Sequence, residues 1–292
     1  MAKRKAAWRA RLEGWLARGV YFGLRRLPVD RSSDLIGGLF RLVGPRLGVS
    51  RVARRNVARA FPEKSEAERE TILRGMWENL GRTAGEFPHL EDGRFYAAHC
   101  DVVGAEHIRA LRDDGKGGLT FSAHLGNWEM ANLFAGAEGL VMHRFYRAAN
   151  NPAVEDLFRR ARGGAPGEVL PKGAAGARRA FALLKKGEHL GMLVDQKLNE
   201  GIPVPFFGRD AMTTTSIAQF ALRLDLPVVP GRVVRTAPHR LRVEIFPPME
   251  LPRTGDLDAD VRELMTRVNA MIEGWIREHP DQWLWLHRRW PD

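Results

Sequence analysis

The feature that most constrains the fold is an alternation of short apolar runs with helical stretches from about residue 100 onward. The apolar runs cover residues 117–123, 139–145, 189–194, 226–234 and 241–246, and the helical stretches cover 127–137, 152–162, 175–187, 215–224 and 258–278. Strands that alternate with helices predict an α/β fold with a mostly parallel central sheet flanked by helices. In such sheets functional side chains lie at the carboxyl ends of the strands.

Residues 65–90 precede this alternation and predict a helix. Ser65 and Glu68 form a capping-box pattern, and Ile72 and Met76 follow at helical spacing. Pro88 is expected to end the helix.

The composition is that of a folded protein, with 44% apolar residues and a single cysteine, Cys100. One cysteine cannot form an internal disulfide or a cysteine-based metal cage, so packing must hold the fold together. Nothing in the sequence implies a metal or an organic cofactor.

The net charge of +11 is concentrated at the N-terminus. Residues 1–60 carry fifteen Lys and Arg against three Asp and Glu, whereas the remaining residues carry 31 and 32. Such asymmetry indicates a polyanionic partner, which could be nucleic acid, anionic lipid or an acidic protein. No zinc spacing, RNA-binding aromatic signature or recognition-helix pattern is present, so we expect no nucleic-acid partner.

The N-terminal segment has the pattern of an interfacial helix. Trp8, Leu12, Trp15, Gly19 and Phe22 recur at spacings of three and four, and arginines fill the other faces. Charged residues interrupt every stretch long enough to be a signal peptide or a spanning helix. An aromatic face opposite a basic one predicts a helix that lies in the membrane interface.

A second apolar segment, residues 35–49, predicts a buried or interfacial helix that Pro45 interrupts. We therefore divide the chain into a basic, amphipathic helical membrane-association segment, 1–60, and a catalytic domain, 61–292. The alternative is that both N-terminal segments simply pack on the main domain.

Residues 117–131, GGLTFSAHLGNWEMA, contain the leading site candidate. An apolar strand leads to His124, Gly126 permits a sharp turn, Asn127 is a candidate helix cap, and Glu129 falls in the first turn of the next helix. Side chains five residues apart diverge on a continuous helix but can converge across a turn. The spacing therefore predicts that His124 and Glu129 meet at the end of a strand.

This pair suits general-base chemistry. A neutral imidazole can take a proton from an alcohol, and a carboxylate on its other ring nitrogen fixes the tautomer. No Ser or Cys stands in a nucleophile-elbow motif, which favours direct attack by a bound hydroxyl over an acyl-enzyme. On spacing alone, a capping Glu and a hydrogen-bonded turn His are the commoner outcome.

Three further stretches contain candidate supporting residues. Arg147 in FYRAANNP could clamp a phosphate or carboxylate, or it could be a surface arginine. Asp195 and Gln196 follow a strand, which is the position of a site but also of an ordinary turn. In the C-terminal PDQWLWLHRRW, Arg288 belongs to an aromatic and basic cluster that suits an interface or a docked segment.

Together these stretches resemble one family. HLGNWE, FYRAANNP, LVDQ, PVPFFGRDAMTTT and PDQWLWLHRRW have the order and approximate spacing of the late acyltransferases of lipid A biosynthesis, the lauroyl and myristoyl transferases. The resemblance covers about residues 15–290. The His-x4-acid motif is shared by the wider glycerolipid acyltransferase superfamily, whereas the PFFG and W-x-H-R-R-W stretches are more specific.

The resemblance implies a fold like glycerol-3-phosphate acyltransferase and a peripheral or monotopic position on the cytoplasmic face of the inner membrane. It implies acyl transfer from acyl carrier protein or acyl-CoA to a lipid A precursor. It also implies that His124 is the base, that Glu129 is its partner, and that Arg147 and Asp195 lie near them.

Two other functions fit the same residues. One is acyl transfer to a different lipid, such as a lysophospholipid, an aminolipid or a phosphoinositide mannoside. The other is a membrane-binding protein without catalytic activity.

Overall fold

The computed structural model describes residues 2–91, 94–146, 149–163 and 166–291. In these residues the chain forms eleven α-helices and nine strands. The helices are α1 (Ala2–Arg25), α2 (Val29–Val43), α3 (Ser50–Ala60), α4 (Glu66–Glu86), α5 (Arg94–His99), α6 (Ala105–Asp113), α7 (Met130–Ala137), α8 (Pro152–Ala161), α9 (Ala174–Leu184), α10 (Ser216–Leu224) and α11 (Leu257–Glu278). The strands are β1 (Cys100–Val103), β2 (Gly118–Ser122), β3 (Met142–Phe145), β4 (Val169–Leu170), β5 (His189–Leu193), β6 (Ile202–Phe206), β7 (Arg209–Thr213), β8 (Val228–Ala237) and β9 (Arg240–Ile245).

Seven strands form one sheet in the order β1-β9-β8-β2-β5-β3-β4. Every neighbouring pair is parallel except the hairpin of β8 and β9. The prediction of an α/β fold with a mostly parallel central sheet is therefore confirmed. β6 and β7 form a separate antiparallel hairpin, which packs on α11.

Strand β2 lies at the centre of the sheet, and its side chains alternate between two environments. Leu119 and Phe121 are buried in the larger hydrophobic core, which also contains residues of α10 and α11. Thr120 and Ser122 point to the opposite face, where they line a cavity. The alternation follows from the two-residue repeat of a strand. It places one face of the sheet in the core and leaves the other to form a site.

Helix α4 begins with the predicted capping box. The Glu68 amide donates to Ser65 Oγ at 3.3 Å, and the Ser65 amide donates to a Glu68 carboxylate oxygen at 2.8 Å. The helix ends at Glu86, and Pro88 lies in the 3₁₀ turn that follows it, in agreement with the prediction that Pro88 ends the helix.

Helix α2 packs closely on α4 through small residues. A Cβ on Gly81 would lie 2.5 Å from the Ile36 carbonyl oxygen, and one on Gly85 would lie 2.4 Å from the Ser32 carbonyl oxygen. Only glycine permits this approach of the two backbones. The helix begins before the predicted apolar segment, and Pro45 lies in the 3₁₀ turn after it.

The outer faces of α1 and α2 expose large apolar side chains. They are Trp8, Leu12, Trp15, Leu16 and Val20 on α1, and Leu35, Leu39, Leu42 and Val43 on α2. Trp15 is 73% exposed. Among the described residues, no helix combines the length and the hydropathy needed to cross a bilayer.

Candidate active site

His124 lies in a sharp turn between β2 and α7. Gly126 in this turn has φ +56°, and a Cβ there would lie 2.4 Å from the Val233 carbonyl oxygen. The C-terminal segment fixes the turn from behind, since the Leu284 amide donates to the His124 carbonyl oxygen at 3.0 Å and Leu125 forms a bridge with Trp283. The backbone of the turn is thus held by residues about 160 positions later in the chain.

The carboxylate that faces the His124 ring belongs to Asp195. Strand β5 runs parallel to β2, so the residues that follow the two strands meet at one edge of the sheet. Nδ1 of His124 lies 2.8 Å from Oδ1 of Asp195. Oδ2 of Asp195 accepts from the His124 amide at 2.9 Å and from Trp283 Nε1 at 2.8 Å.

Asp195 is held as a carboxylate. It is almost fully buried, and burial alone would raise its pKa. The charge of His124 and its hydrogen bonds outweigh that effect and hold the pKa of Asp195 well below its ordinary value. A buried carboxylate on Nδ1 leaves Nε2 of His124 as the basic nitrogen.

Glu129 does not occupy the position that the motif predicted. Its carboxylate binds Arg162, with Oε2 2.9 Å from Nε and Oε1 2.5 Å from Nη2. The reason is geometric: α7 begins only at Met130, so the turn from Gly126 directs Glu129 toward the end of α8. In this structure the carboxylate bonded to the His124 ring is therefore that of Asp195 and not, as expected from the motif, that of Glu129.

Arg162 sits in an aromatic enclosure beside Glu129. Its guanidinium lies 4.6 Å from the ring centre of Tyr146 and about 5.5 Å from those of Phe87 and Phe158. Burial would lower the pKa of Arg162, but the hydrogen bonds and charge of Glu129 raise it above its ordinary value. Arg162 therefore keeps its positive charge.

Gln196 lies between two histidines. Its Nε2 is 3.2 Å from Nε2 of His124 and 3.3 Å from Nε2 of His287. An amide nitrogen only donates, so both imidazole nitrogens accept. Burial lowers the pKa of His287 to about 4, which keeps its ring neutral.

The other predicted supporting residues have different outcomes. Asn127 does not cap α7, because that helix begins three residues later; it is buried and donates to Glu86 at 2.8 Å. Arg288 is exposed and does not line the cavity beside His124. Arg147 lies outside the described residues.

A cavity of about 550 Å³ opens beside His124, between the sheet and α7. Its apolar lining includes Ile108, Phe134, Met142, Val229 and Ile245. Its polar lining includes Thr120, Ser122, His124, Glu129, Arg144, Arg162, Lys172 and Gln196. One cavity thus combines a basic nitrogen, a cationic wall and an apolar interior.

Among the described residues, only His124, Asp195 and His287 group their ligand atoms closely enough to hold a metal ion, within 4.8 Å of one another. Both oxygens of Asp195 already accept hydrogen bonds, one of them from Trp283 Nε1. Nδ1 of His124, one of the two ring nitrogens that could bind an ion, is therefore already hydrogen-bonded to Asp195.

Sequence reasoning assigned no site role to His287, Trp283, Arg162 or Arg144. His287 and Trp283 belong to the C-terminal aromatic and basic stretch PDQWLWLHRRW, whose pattern alone gives neither residue a site role. The contacts of all four join segments that are distant in the chain, so no local spacing could have indicated them.

The whole chain, residues 1–292, matches the model of the bacterial lipid A biosynthesis acyltransferase family. The protein belongs to this family. It is therefore an acyltransferase, and the resemblance recognised in the sequence is confirmed.

Curated relatives agree with this assignment. The lipid A biosynthesis lauroyltransferase of Escherichia coli K12 is 27% identical over 94% of this chain and 90% of that protein. The palmitoleoyltransferase of the same organism is 26% identical over 82% of this chain and 77% of that protein. A phosphatidylinositol mannoside acyltransferase of Mycolicibacterium smegmatis is 24% identical over 91% of this chain and 88% of that protein.

A solved structure is also similar, that of the 1-acyl-sn-glycerophosphate acyltransferase of Thermotoga maritima. It has a TM-score of 0.38 and 12% identity, over 84% of this chain and 98% of that one.

Proposed function

We propose that this acyltransferase moves a fatty acyl chain from an acyl carrier protein or acyl-CoA thioester to a hydroxyl of a lipid A precursor. His124 acts as general base, and Asp195, rather than Glu129, orients it. The observation that carries the proposal is the 2.8 Å contact between His124 and the buried Asp195 at the edge of a cavity with an apolar interior.

The transfer follows from this geometry. Nε2 of His124 takes the proton of the acceptor hydroxyl as its oxygen attacks the thioester carbonyl carbon. The carboxylate of Asp195 stabilises the imidazolium that forms. When the tetrahedral intermediate collapses, the carbon–sulfur bond breaks and the imidazolium gives its proton to the leaving thiolate. The products are the ester and the free thiol.

Gln196 holds the base in place before the acceptor arrives. Its amide occupies the lone pair of His124 Nε2, which is the position that the acceptor hydroxyl needs. The hydroxyl replaces that hydrogen bond with its own, while His287 keeps a partner for the displaced amide. The proposed role of Gln196 is therefore that of a supporting residue that acts at the base.

Glu129 has a structural and electrostatic role in this scheme. Its two hydrogen bonds fix Arg162 in the wall of the cavity, opposite the apolar lining. A guanidinium held in this way is preorganised to stabilise negative charge that develops on the substrates. The acid of the motif therefore serves the reaction through Arg162.

The acyl chain of the donor fits the apolar interior of the cavity. Side chains from the sheet and from α6 and α7 form this interior, among them Ile108, Phe134, Met142 and Val229. Each methylene group that leaves water for such a lining contributes about 0.8 kcal/mol. A chain that fills the interior brings its thioester carbon to the polar end beside His124.

A second apolar groove supports a lipid acceptor. It lies between α1 and α8, has a volume of about 580 Å³, and is lined by Leu12, Leu16, Val20, Leu157 and Phe158 among others. Phe158 also stacks with Arg162, which lines the catalytic cavity. Phe158 thus contacts both the groove and the cavity wall, and the groove is a suitable place for acyl chains already on the acceptor.

The protein is further proposed to lie on the cytoplasmic face of the inner membrane, attached by α1 and α2. The exposed leucines and tryptophans of these helices would enter the interface, and the excess of Lys and Arg in residues 1–60 would bind anionic lipid. The same positive charge complements the acidic surface of an acyl carrier protein.

Product analysis by mass spectrometry tests the reaction. Purified protein is mixed with a tetraacylated lipid A precursor and a panel of acyl carrier protein thioesters. We expect a mass gain of one acyl chain, abolished by His124→Ala and retained by His107→Ala, a matched histidine of α6 outside the cavity. Full activity of the His124 variant would overturn the general-base role.

Vesicle sedimentation tests the attachment. Leu39→Glu with Leu42→Glu should release the protein from anionic vesicles, whereas Leu257→Glu, at an exposed leucine at the start of α11, should not. Salt should release part of the wild-type protein, because it screens the charge attraction. Vesicle binding that depends neither on the lipid charge nor on the two substitutions in α2 would contradict the proposed attachment.

A second acceptor class has one specific observation in its favour. The phosphatidylinositol mannoside acyltransferase matches this chain almost as well as the lipid A enzymes do. Transfer to a mannosylated phosphoinositide, with none to the lipid A precursor, would keep the chemistry and change the acceptor.

A further inference from the structure

Arg144 has an unusual environment for a charged side chain. It lies in β3, its Nη1 is buried, and that atom makes no hydrogen bond within the described part of the chain. It lines the catalytic cavity. Leaving a buried cationic nitrogen without a partner is costly, so such a group is commonly completed by a ligand.

Among the described residues that line the cavity, the acid does not form an ion pair with Arg144. Glu129 lines the same cavity, but both of its oxygens are hydrogen-bonded to Arg162. Lys172 adds another cation to the wall. Among the described residues that line the cavity, three cations therefore face one carboxylate. Burial and the charge of Arg162 lower the pKa of Arg144, in keeping with a cation that lacks a counter-charge.

We propose that Arg144, with Lys172, forms an anion-binding site inside the cavity that takes a phosphate group of one of the two substrates. A guanidinium binds phosphate through two parallel hydrogen bonds, and a lysine adds a point charge. The inference rests on the proposed function, since acyl carrier protein and CoA donors carry a pantetheine phosphate and the acceptor carries phosphate on its sugar headgroup. The opposite charges of Glu129 and Arg162 cancel each other in this site. Arg144 and Lys172 supply the positive charge that binds the anion.

The two sources of phosphate can be separated by substrate. One arm compares acyl-phosphopantetheine with acyl-pantetheine as donor, and the other compares the phosphorylated acceptor with its phosphatase-treated form. In one arm, wild-type protein should prefer the phosphorylated compound about tenfold or more in kcat/KM, the size expected for a hydrogen bond to a charged group. Arg144→Gln should bring that preference close to one and leave the unphosphorylated compound nearly unaffected.

Arg144→Lys keeps the charge without the fork and should retain an intermediate preference. Arg209→Gln, at an exposed arginine of the β6–β7 hairpin, is the matched control and should retain the full preference. The affected arm identifies the phosphate as that of the donor or that of the acceptor. No phosphate preference in either arm, or an equal loss on all substrates in Arg144→Gln, would overturn the site.

Thermal unfolding separates this role from a structural one. Because Nη1 of Arg144 has no partner to lose, Arg144→Gln should leave the melting temperature unchanged or raise it. A fall of several degrees would show that the arginine supports the fold instead. If wild-type protein transferred no acyl chain to either acceptor, the proposed function would fail. Calorimetric titration with inorganic phosphate, in wild type and Arg144→Gln, would then still decide the site.

Discussion

Two walls of the catalytic cavity each contain a buried carboxylate paired with a nitrogen base, yet they differ in kind. On one wall Asp195 faces the imidazole of His124, a group that can gain and lose a proton near neutral pH. On the other, Glu129 faces the guanidinium of Arg162, which keeps its charge at all relevant pH values. The pair of His124 and Asp195 is suited to proton transfer, and the pair of Glu129 and Arg162 is suited to provide a constant electrostatic environment.

In the proposed scheme, the acid of the His-x4-acid motif serves the site without touching the histidine. Both acids are buried, Glu129 immediately before α7 and Asp195 in the loop that joins β5 to β6. What separates their roles is the partner that the fold brings to each one. Substitutions at each pair, and at residues beside them, test whether the two pairs act independently.

The largest effect is expected for Asp195→Asn. The amide cannot hold His124 in the tautomer that leaves Nε2 basic, so kcat should fall by about 10³ to 10⁴-fold. The acidic limb of the pH–rate profile should also move, because the imidazolium loses its counter-charge. Single-turnover rates across pH would measure both. If the kcat of Asp195→Asn stayed within tenfold of wild type, a residue other than Asp195 would orient His124.

Glu129→Gln should reduce activity by about 100-fold, the scale of losing one preorganised electrostatic group, and leave the acidic limb in place. It should also destabilise the fold by about 3 kcal/mol, because Arg162 remains buried without its counter-charge. Urea unfolding would measure this loss. Glu168→Gln, in the exposed pair with Arg179, is the control and should leave the urea midpoint nearly unchanged. If the acidic limb of the pH–rate profile shifted in Glu129→Gln, the two pairs would be coupled rather than independent.

His287→Gln should change how stability depends on pH. The pKa of His287 is about 4 in the folded protein against 6.5 for an ordinary histidine, so the unfolded chain binds more protons in this window. Wild-type stability should therefore fall as pH drops from 6.5 toward 4, by up to about 1.4 kcal/mol per pH unit from this group. The variant should lack that part of the slope, and His107→Gln should keep it. Equal slopes in urea unfolding of all three proteins would contradict the neutral ring.

The smallest effect is expected between the two walls, at Gly191 in β5. A Cβ there would lie 3.0 Å from Met142 Cγ and 3.2 Å from Thr120 Oγ1, two residues that line the cavity. Gly191→Ala should shift the donor preference toward shorter chains, by about fourfold for each methylene excluded. Gly274→Ala, where a Cβ meets no atom within 4 Å, is the control. An unchanged chain-length profile would move the acyl site elsewhere.

The sequence predicted the sheet because strands and helices are local patterns. The central strands β2, β5 and β8 and the helices α8 to α11 fall close to the predicted ranges. The sequence did not predict the hairpin of β6 and β7, because a segment that contains Pro203 and Pro205 lacks the pattern of a strand. It forms where α11 and Arg289 support it, and Arg289 donates to the Met212 carbonyl oxygen at 2.9 Å.

His124 was predictable because its position at the end of a strand depends only on nearby residues. The partner of its ring was not, since that depends on the direction of the turn at Gly126, which the C-terminal segment holds in place. Asp195 could have been identified by asking which strand lies beside β2. The adjacency of β2 and β5 is a property of the sheet order, which spacing within one motif does not contain.

The bond from Trp283 to Asp195 also orders events during synthesis. The ribosome releases His124 and Asp195 long before it releases residues 283–290, which brace the catalytic turn and its carboxylate. The imidazole of a nascent chain therefore lacks its fixed orientation until this C-terminal segment has left the ribosome.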